Sequence, residues 1–414
     1  MSLKDKGDGE ALWIRHQKLY RFLAGALDGY IRRKFNYTYE KTDLNTADGP
    51  VIVIPNHACA WDPLLIAAAM KKRQMYFVMS EHMLRKKIIG PVIDYIGGPI
   101  PRKKASSGTG TVMSCLRHLK AGHSICLFAE GEQTWNGITR PVFPATGKMI
   151  RQSGATLVTY RLEGAYLSLP RWAKGVRRGK ITGRIAGIYP PEELKQMTGA
   201  EINALIDRDL NFNIWEWQAT QPDGPVSFRL KGNRKGLAER LEKSVCTCPA
   251  CGRTGELHSS GDITECSCGF RIKYTDTGAF DPPEPFRNIA EWEEYDREHI
   301  VSMAESAERN SETATLFSDS NARLTKIENG HEESLIGEGT LSCVSENGKL
   351  FIRAGGQSYP LTEIRDMAQV LSNILLFSDG SEYYQIYSED ANLRKYYYIW
   401  RKGKENSNNG LFSG

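Results

Sequence analysis

The feature that most constrains the fold is an alternation of strand-like and helix-like segments between Val51 and about Pro190. Short apolar runs such as Val51–Ile54 and Leu157–Leu162 are typical of buried strands. Segments with helical spacing follow such runs, for example at Pro63–Met70 and Thr111–Lys120. Because strands that alternate with helices build layered domains, the sequence predicts a mixed α/β sheet flanked by helices.

The composition changes near residue 245. A Gly-rich and Cys-rich segment comes first, an acidic helix is predicted over Asn288–Arg309, and short strands separated by turn signals follow from about Leu316. They predict a small all-β domain that closes with a strand at Lys395–Trp400. The predicted segments are an amphipathic helical segment (1–40), the α/β domain (41–240), the cysteine-rich module (241–275), a helical linker (276–315) and the small β domain (316–405).

The charge is distributed unevenly along the chain. Residues 1–240 contain 37 basic and 21 acidic side chains, whereas the remainder contains 17 basic and 28 acidic ones. A basic half suits an anionic partner such as a lipid surface, a phosphorylated substrate, an acidic carrier protein or a nucleic acid, although a solvated basic face is the simpler alternative. Three basic triplets lie in this half: Lys71–Arg73, Arg85–Lys87 and Arg102–Lys104.

Residues 11–35 are predicted to form an amphipathic helix, for which two interpretations are open. Apolar residues there recur at helical spacing with basic residues between them, which suits a helix in a membrane interface and equally a helix packed on its own domain. No apolar run approaches the roughly 18 residues of a spanning helix, and Met1–Lys6 lacks a secretory signal. We expect a cytoplasmic protein, peripheral on the inner face of the membrane.

The segment Asn56–Asp62 carries the residues best suited to catalysis. His57 follows a predicted strand, and Asp62 precedes Pro63 at the start of a predicted helix. A neutral imidazole accepts a hydroxyl proton near pH 7, and a carboxylate on its other ring nitrogen fixes the tautomer. The alternative for Asp62 is a helix N-cap followed by proline. Cys59 is expected to be a small buried residue and not a nucleophile.

Four cysteines at short spacings predict a metal site. Cys248 and Cys251 are separated by two residues, and Cys266 and Cys268 follow with one residue between them. Two such pairs about fifteen residues apart are typical of a zinc ribbon, in which four thiolates leave no open position for catalysis. The sequence therefore predicts structural zinc, with Cys246 and His258 as spare ligands. The alternative is a reduced cysteine-rich loop without metal.

Four sequence blocks, in order, resemble the motifs of the glycerol-3-phosphate and 1-acylglycerol-3-phosphate acyltransferase superfamily. Asn56-His57-x4-Asp62 resembles the first motif, and Gly97–Arg102 is similar to the second, in which an arginine contacts the acceptor phosphate. Leu127–Gly131 resembles the third motif, Phe-Pro-Glu-Gly-Thr-Arg-Ser. Leu157–Tyr160 stands where the family has a fourth apolar block, although the expected proline is absent.

The resemblance implies an acyltransferase that moves a fatty acyl group from acyl-CoA or acyl carrier protein to the free hydroxyl of 1-acylglycerol-3-phosphate. His57 would be the general base and Asp62 would orient it, while Arg102, Glu130 and Gly131 would bind substrate. Glu130 has a second reading as a buried structural carboxylate. Beyond the acyl donor, the reaction implies no cofactor.

The third motif departs from the family at its arginine, where this chain has Gln133 beside Glu132. An amide binds an anion more weakly than a guanidinium does, so a different lysolipid or a non-phosphate acceptor is the alternative. Arg140, Lys148 and Arg161 are candidates for taking over the phosphate.

The non-enzymatic alternative is an interaction scaffold that combines the zinc ribbon with a degenerate acyltransferase domain. The ribbon lies in the acidic part of the chain and lacks a dense basic and aromatic stretch, which disfavours a nucleic-acid partner. The C-terminal β domain faintly resembles a pleckstrin-homology-like fold, and such domains serve lipid and protein partners alike. The expected partners are therefore anionic membrane lipids, the acyl donor and a lysophospholipid acceptor.

Overall fold

The structure is a computed structural model that describes residues 3–41, 48–84, 90, 91, 93, 95, 98–102, 108–311, 313–328 and 332–409. The chain forms two compact units. The first comprises Met1–Lys103, Gly108–Arg171 and Gly175–Asn233, and the second consists chiefly of Arg234–Gly414 together with Trp172–Lys174. No helix in the described part of the chain has the length and apolarity needed to cross a bilayer.

The strands and helices of the first unit alternate over most of its length. Its strands are β1 (Tyr37–Tyr39), β2 (Val51–Pro55), β3 (Met75–Ser80), β4 (Ile100–Arg102), β5 (Ser124–Cys126), β6 (Thr156–Glu163), β7 (Arg177–Arg178), β8 (Ile181–Tyr189) and β9 (Arg229–Leu230). Its helices are α1 (Leu3–Phe35), α2 (Asp62–Ala69), α3 (Glu81–Leu84), α4 (Thr109–Lys120), α5 (Ala145–Ser153), α6 (Ala165–Ser168), α7 (Pro191–Gln196), α8 (Gly199–Leu210) and α9 (Ile214–Ala219).

Seven of these strands form one mixed sheet, in the order β1-β8-β6-β2-β5-β3-β4. Strands β2, β3, β4, β5 and β6 are parallel along this order, and the pair β6 and β8 is antiparallel. Every residue of β2 is buried, as expected for a central strand covered on both faces. The predicted mixed α/β sheet with helices is confirmed.

The parallel part of the sheet determines where the functional side chains lie. His57 comes two residues after β2, Arg102 is the last residue of β4, and Glu130 follows β5 by four residues. Because neighbouring parallel strands point the same way, their carboxyl ends meet at one edge of the sheet. Residues that are far apart in the sequence are therefore brought to that edge.

The second unit contains a small ribbon and a larger antiparallel sheet. The strands of the ribbon are β10 (Leu257–Ser260), β11 (Ile263–Cys266), β12 (Arg271–Tyr274) and β13 (Phe280–Asp281). The strands of the larger sheet are β14 (Ala314–Glu328), β15 (Glu332–Glu346), β16 (Lys349–Ala354), β17 (Gln357–Pro360), β18 (Asp366–Val370), β19 (Ile374–Ser378) and β20 (Tyr383–Ser388). Among the residues that the structure describes, the α-helices of this unit are α10 (Ile289–Asn310) and α11 (Arg394–Asn409).

The predicted acidic helix corresponds to α10, which Asn288 caps by accepting from the Ala290 amide. The predicted closing strand at Lys395–Trp400 is wrong, because these residues lie in α11. Tyr396, Tyr398 and Ile399 are all buried in α11. Because nearly consecutive side chains are buried, the sequence shows neither the period of two of a half-buried strand nor the period of 3.6 of an amphipathic helix. The order of the larger sheet is β17-β16-β15-β14-β20-β19-β18.

Candidate active site and cysteine cluster

His57 is held in place through its main chain as well as its ring. Its amide donates to Oε1 of Glu130 at 2.7 Å, and its carbonyl accepts from the Thr134 amide at 2.9 Å. The ring stacks on Phe128, with 4.3 Å between the ring centroids and 30° between the planes. Its side chain remains 19% exposed, so a substrate can reach an imidazole whose position is already fixed.

Asp62 is fully buried, and it points back toward the start of the loop. Its Oδ2 lies 2.9 Å from Nδ1 of His57 and accepts from the amides of Ala58 at 2.6 Å and Cys59 at 2.9 Å. The N-cap reading of Asp62 is wrong: Trp61 is the N-cap of α2, and no side chain caps it. Asp62 therefore fixes the loop and the orientation of the imidazole. With a proton on Nδ1, the Nε2 atom is the basic nitrogen.

Glu130 is a buried carboxylate that ties two stretches of main chain together. It accepts from the His57 amide through Oε1 and from the Arg140 amide through Oε2 at 2.9 Å. Burial raises its pKa to about 7, against the opposing effect of these two amide donors. This geometry fits the second interpretation of Glu130, in which it is a buried structural carboxylate that holds the loop.

Gly131 occupies a position that no other residue could fill without strain. Its φ is +80°, and a Cβ there would lie 2.0 Å from Cε2 of Phe143. The Gly131 amide donates to the carbonyl of Phe128 at 3.1 Å, so it closes the turn.

Arg102 reaches the same turn through Phe143. Its Cζ lies 4.6 Å from the centroid of the Phe143 ring, and burial lowers the pKa of its guanidinium. Within the described residues, Nε of Arg102 is buried without a hydrogen-bond partner. The predicted site residues His57, Asp62, Glu130 and Gly131 thus form one cluster, to which Arg102 is linked by Phe143. Gly97 of the second motif lies outside the described residues.

The other arginines considered for an acceptor phosphate have protein partners. Arg140 pairs with Glu132, and Nε of Arg161 donates to the carbonyl of Asp209 at 3.2 Å. Sequence reasoning missed Arg171, whose Nη1 lies 3.0 Å from Oε2 of Glu132. No spacing could have revealed it, because Arg171 follows Glu132 by 39 residues and lies beyond the last recognised block.

Cys59 is fully buried beside Asp62. Burial, reinforced by the Asp62 carboxylate, raises the pKa of its thiol well above the usual value. Its sulfur is therefore held as a neutral thiol, which agrees with the expectation of a small buried residue.

The four cysteines predicted as ligands converge in the second unit. Their sulfurs all lie within 4.8 Å of one another, with 3.6 Å between Cys248 and Cys268 and 3.9 Å between Cys251 and Cys266. Four sulfurs around a zinc ion lie about 3.8 Å apart, whereas a disulfide joins sulfurs at about 2.05 Å. The cluster fits a metal ion and does not fit disulfides.

Neither spare ligand joins the cluster, which among the described residues consists of the four cysteines alone. Cys246 is buried against Asp296, with its sulfur 3.4 Å from Oδ2. His258 lies on β10 opposite Glu265, one position along this strand pair from Cys266.

A protein-family model supports an acyltransferase domain in the amino-terminal part of the chain. Residues 36–163 match the protein-family model described as Acyltransferase. A solved structure similar to this chain is the 1-acyl-sn-glycerophosphate (LPA) acyltransferase PlsC from Thermotoga maritima, with 18% identity and a TM-score of 0.42 over 51% of this chain and 89% of that one. The segment matched by the family includes His57, Asp62 and Glu130. The family match confirms, for residues 36–163, the resemblance to acyltransferases that the sequence motifs indicate.

Proposed function

We propose that this protein transfers a fatty acyl group from acyl-CoA or acyl carrier protein to the free hydroxyl of 1-acylglycerol-3-phosphate. The observation that carries the proposal is the accessible His57 imidazole, bonded through Nδ1 to the buried Asp62 carboxylate. This arrangement supplies a base of fixed position and tautomer, which is what a hydroxyl nucleophile requires.

In the proposed reaction, the acceptor hydroxyl donates to Nε2 of His57. The imidazole takes the hydroxyl proton while the oxygen attacks the thioester carbonyl, and Asp62 stabilises the imidazolium that forms. Collapse of the tetrahedral intermediate breaks the carbon–sulfur bond, and the departing thiolate receives the proton from His57. The products are the new ester and the free thiol of the donor, so no further cofactor enters this step.

Arg102 is the proposed contact for the acceptor phosphate. Its partly buried guanidinium lies over Phe143, which in turn touches the Glu130–Gly131 turn beside His57. A second candidate acceptor is a different lysolipid or one without phosphate. That candidate is favoured by Gln133, which stands where the family has an arginine.

The test is transfer of a labelled acyl group to a panel of lysolipids. We expect His57→Ala to lower the rate by at least about a thousandfold, because the step loses its base. Cys59→Ala is the matched control within the same loop and should retain transfer. Loss of activity in Cys59→Ala but not in His57→Ala would overturn the assignment. If the wild-type protein acylated no lysolipid, the scaffold alternative would replace the enzyme.

We propose that the four-cysteine cluster holds structural zinc and that the module is a zinc ribbon. The alternation of buried Cys248 and Cys266 with exposed Cys251 and Cys268 suits an ion that closes a turn near the surface. Four thiolate ligands leave no position for substrate. The metal content of the purified protein tests this proposal, and protein without zinc would refute it.

Attachment to the inner face of the membrane is proposed for the amino-terminal unit. One side of α1 packs on its own domain, where Tyr20 and Ala24 lie against Ala67. Another side leaves Phe22 72% and Tyr30 51% exposed, and the basic residues Arg32–Lys34 follow in the last turn of the same helix. Apolar and basic side chains together suit an anionic lipid surface. Of the basic triplets, Arg85–Lys87 and two residues of Arg102–Lys104 lie outside the described residues.

Flotation with anionic vesicles tests the attachment. We expect salt-sensitive binding that Phe22→Ser weakens, because the substitution removes an exposed apolar side chain. If the protein did not float with anionic vesicles at low salt, the proposed membrane attachment would be rejected.

The larger antiparallel sheet of the second unit, together with α11, is proposed to be pleckstrin-homology-like and to serve a lipid or protein partner.

A further inference from the structure

The turn beside His57 contains a carboxylate that is shared by two arginines. Glu132 pairs with Arg140 through Oε1 and with Arg171 through Oε2, the latter at 3.0 Å. The side chains of Glu132 and Arg171 are 16% and 4% exposed, so the ions are largely removed from water. The Arg171 guanidinium also lies 4.3 Å from the centroid of the Trp135 ring and donates to the Gln133 carbonyl at 3.3 Å.

The carboxylate of this triad of Arg140, Glu132 and Arg171 lies on a turn that is hydrogen-bonded to the main chain of the proposed base. The turn that carries Glu132 is anchored on both sides by His57, through Glu130 at 2.7 Å and through Thr134 at 2.9 Å. The Arg140 amide is anchored by Glu130 as well. Hydrogen bonds therefore connect the triad to the loop at which an acceptor would be held.

The triad changes the net charge that an acceptor encounters. Without Glu132, Arg140 and Arg171 would present two positive charges, and Arg102 would add a third. With Glu132 in place, the triad presents one net positive charge, and both arginines are engaged by an internal carboxylate. The attraction between partly buried charges is strong and is proportional to the charge of the ligand. Removing one positive charge from the site therefore weakens the binding of a dianion more than the binding of a monoanion.

We propose that Glu132 is a specificity residue that widens the acceptor range to lysolipids whose phosphate is a diester. A phosphomonoester such as that of 1-acylglycerol-3-phosphate carries close to two negative charges at neutral pH, and a phosphodiester carries one. Glu132 reduces the advantage of the doubly charged headgroup, so both classes are acylated. The inference rests on the proposed acyl transfer to a lysolipid, and it concerns the headgroup alone.

The experiment compares 1-acylglycerol-3-phosphate with 1-acyl-lysophosphatidylglycerol as acceptors for the full-length protein. In Glu132→Gln we expect the ratio of kcat/KM values to shift toward the phosphomonoester by about tenfold, mainly through a lower KM for that acceptor. The diester should change by less than about threefold. An unchanged ratio, or an equal change for both acceptors, would overturn the role of Glu132.

Control variants separate specificity from general damage. Glu192→Gln removes the same charge from an exposed position at the start of α7 and should leave the ratio unchanged. Adding Arg140→Ala to Glu132→Gln should reverse part of the shift, because one released cation is removed. If Glu132→Gln did not fold, Arg140→Ala alone should move the ratio toward the diester. No movement in that variant would also overturn the inference.

The failure of this inference differs from a failure of the proposed function. A wild-type protein that acylates neither acceptor contradicts the proposed function itself. A wild-type protein that acylates the phosphomonoester and shows no measurable transfer to the diester contradicts only the widened range.

Discussion

The His57 loop and the four-cysteine cluster both begin as short sequence motifs, and they are held together in different ways. In the loop, Asp62 collects three donors on one oxygen and Glu130 collects two amides, so the protein's own hydrogen bonds fix the imidazole. In the cluster, four sulfurs within 4.8 Å of one another face a common centre. Bringing four thiolates together is unfavourable unless a cation compensates their charge.

The difference separates a site that is preorganised from one that, with the proposed zinc, would depend on an ion. The loop should keep its geometry without any ligand, and damage to it should appear in the reaction rate. The cluster should lose its geometry with its metal, and damage to it should appear in stability. Each of the following experiments tests one side of this contrast.

The largest effect is expected from removing the proposed zinc. Structural zinc in small modules contributes on the order of 10 kcal/mol of folding free energy, so Cys251→Ser or a strong chelator should unfold the ribbon. The measurements are zinc content and the thermal unfolding of the second unit. Cys246→Ala is the matched control, because this thiol lies against Asp296 outside the cluster. Retention of full zinc content in Cys251→Ser would show that the cluster is not the metal site.

Asp62→Asn tests whether the His57 loop is preorganised for the reaction. We expect the rate to fall by about 10³- to 10⁴-fold, or about 4–5 kcal/mol, because an amide favours the wrong imidazole tautomer. Asp28→Asn alters another buried carboxylate of the same unit, paired with Lys71 at 2.8 Å, and should retain transfer. A loss of less than tenfold in Asp62→Asn would mean that Asp62 only stabilises the loop.

Both sites were predictable from sequence because their residues lie close together in the chain. A five-residue offset specified the His57 and Asp62 pair, and two short spacings specified the four cysteines. The sequence also predicted the layered α/β domain, whose parallel strands bring Glu130 near His57 in the structure. Only the direction in which Asp62 points distinguished an orienting carboxylate from a helix cap, and that direction depends on the path of the loop.

The features that sequence reasoning missed depend on long-range packing. Arg171 meets Glu132 across 39 residues, and nothing local marks it. The error at Lys395–Trp400 has a related cause. An aromatic run favours a strand locally, yet burial of nearly every position by surrounding elements decides for a helix.

Glu130 gives a pH-dependent test of the same loop. Its pKa is raised from 4.5 to about 7 by burial, so the folded state binds a proton more tightly than the unfolded chain. Its contribution to stability is fully present below pH 4.5 and is lost as the pH rises through about 7, on the order of 3 kcal/mol. In Glu130→Gln, this part of the pH dependence should disappear from denaturant unfolding curves.

Glu130→Gln also has a cost that does not depend on pH. Glutamine offers one acceptor oxygen for the two amides of His57 and Arg140, so about 1–2 kcal/mol of stability should be lost. A variant with the same slope of stability against pH as the wild type would show that Glu130 does not titrate in this range.

The smallest effect is expected at Arg102, the predicted phosphate contact, which is linked to the turn beside His57 only through Phe143. Arg102→Ala should raise the KM for 1-acylglycerol-3-phosphate about tenfold, or about 1.4 kcal/mol, with little change in kcat, because it removes a binding charge and no reacting group. Arg102→Lys keeps the positive charge but lacks the planar guanidinium, so its KM should lie between those of the wild type and Arg102→Ala. An unchanged KM in Arg102→Ala would end the phosphate-binding role. A fall in kcat instead would show that Arg102 acts by supporting Phe143 against Gly131, and so belongs to the preorganised loop.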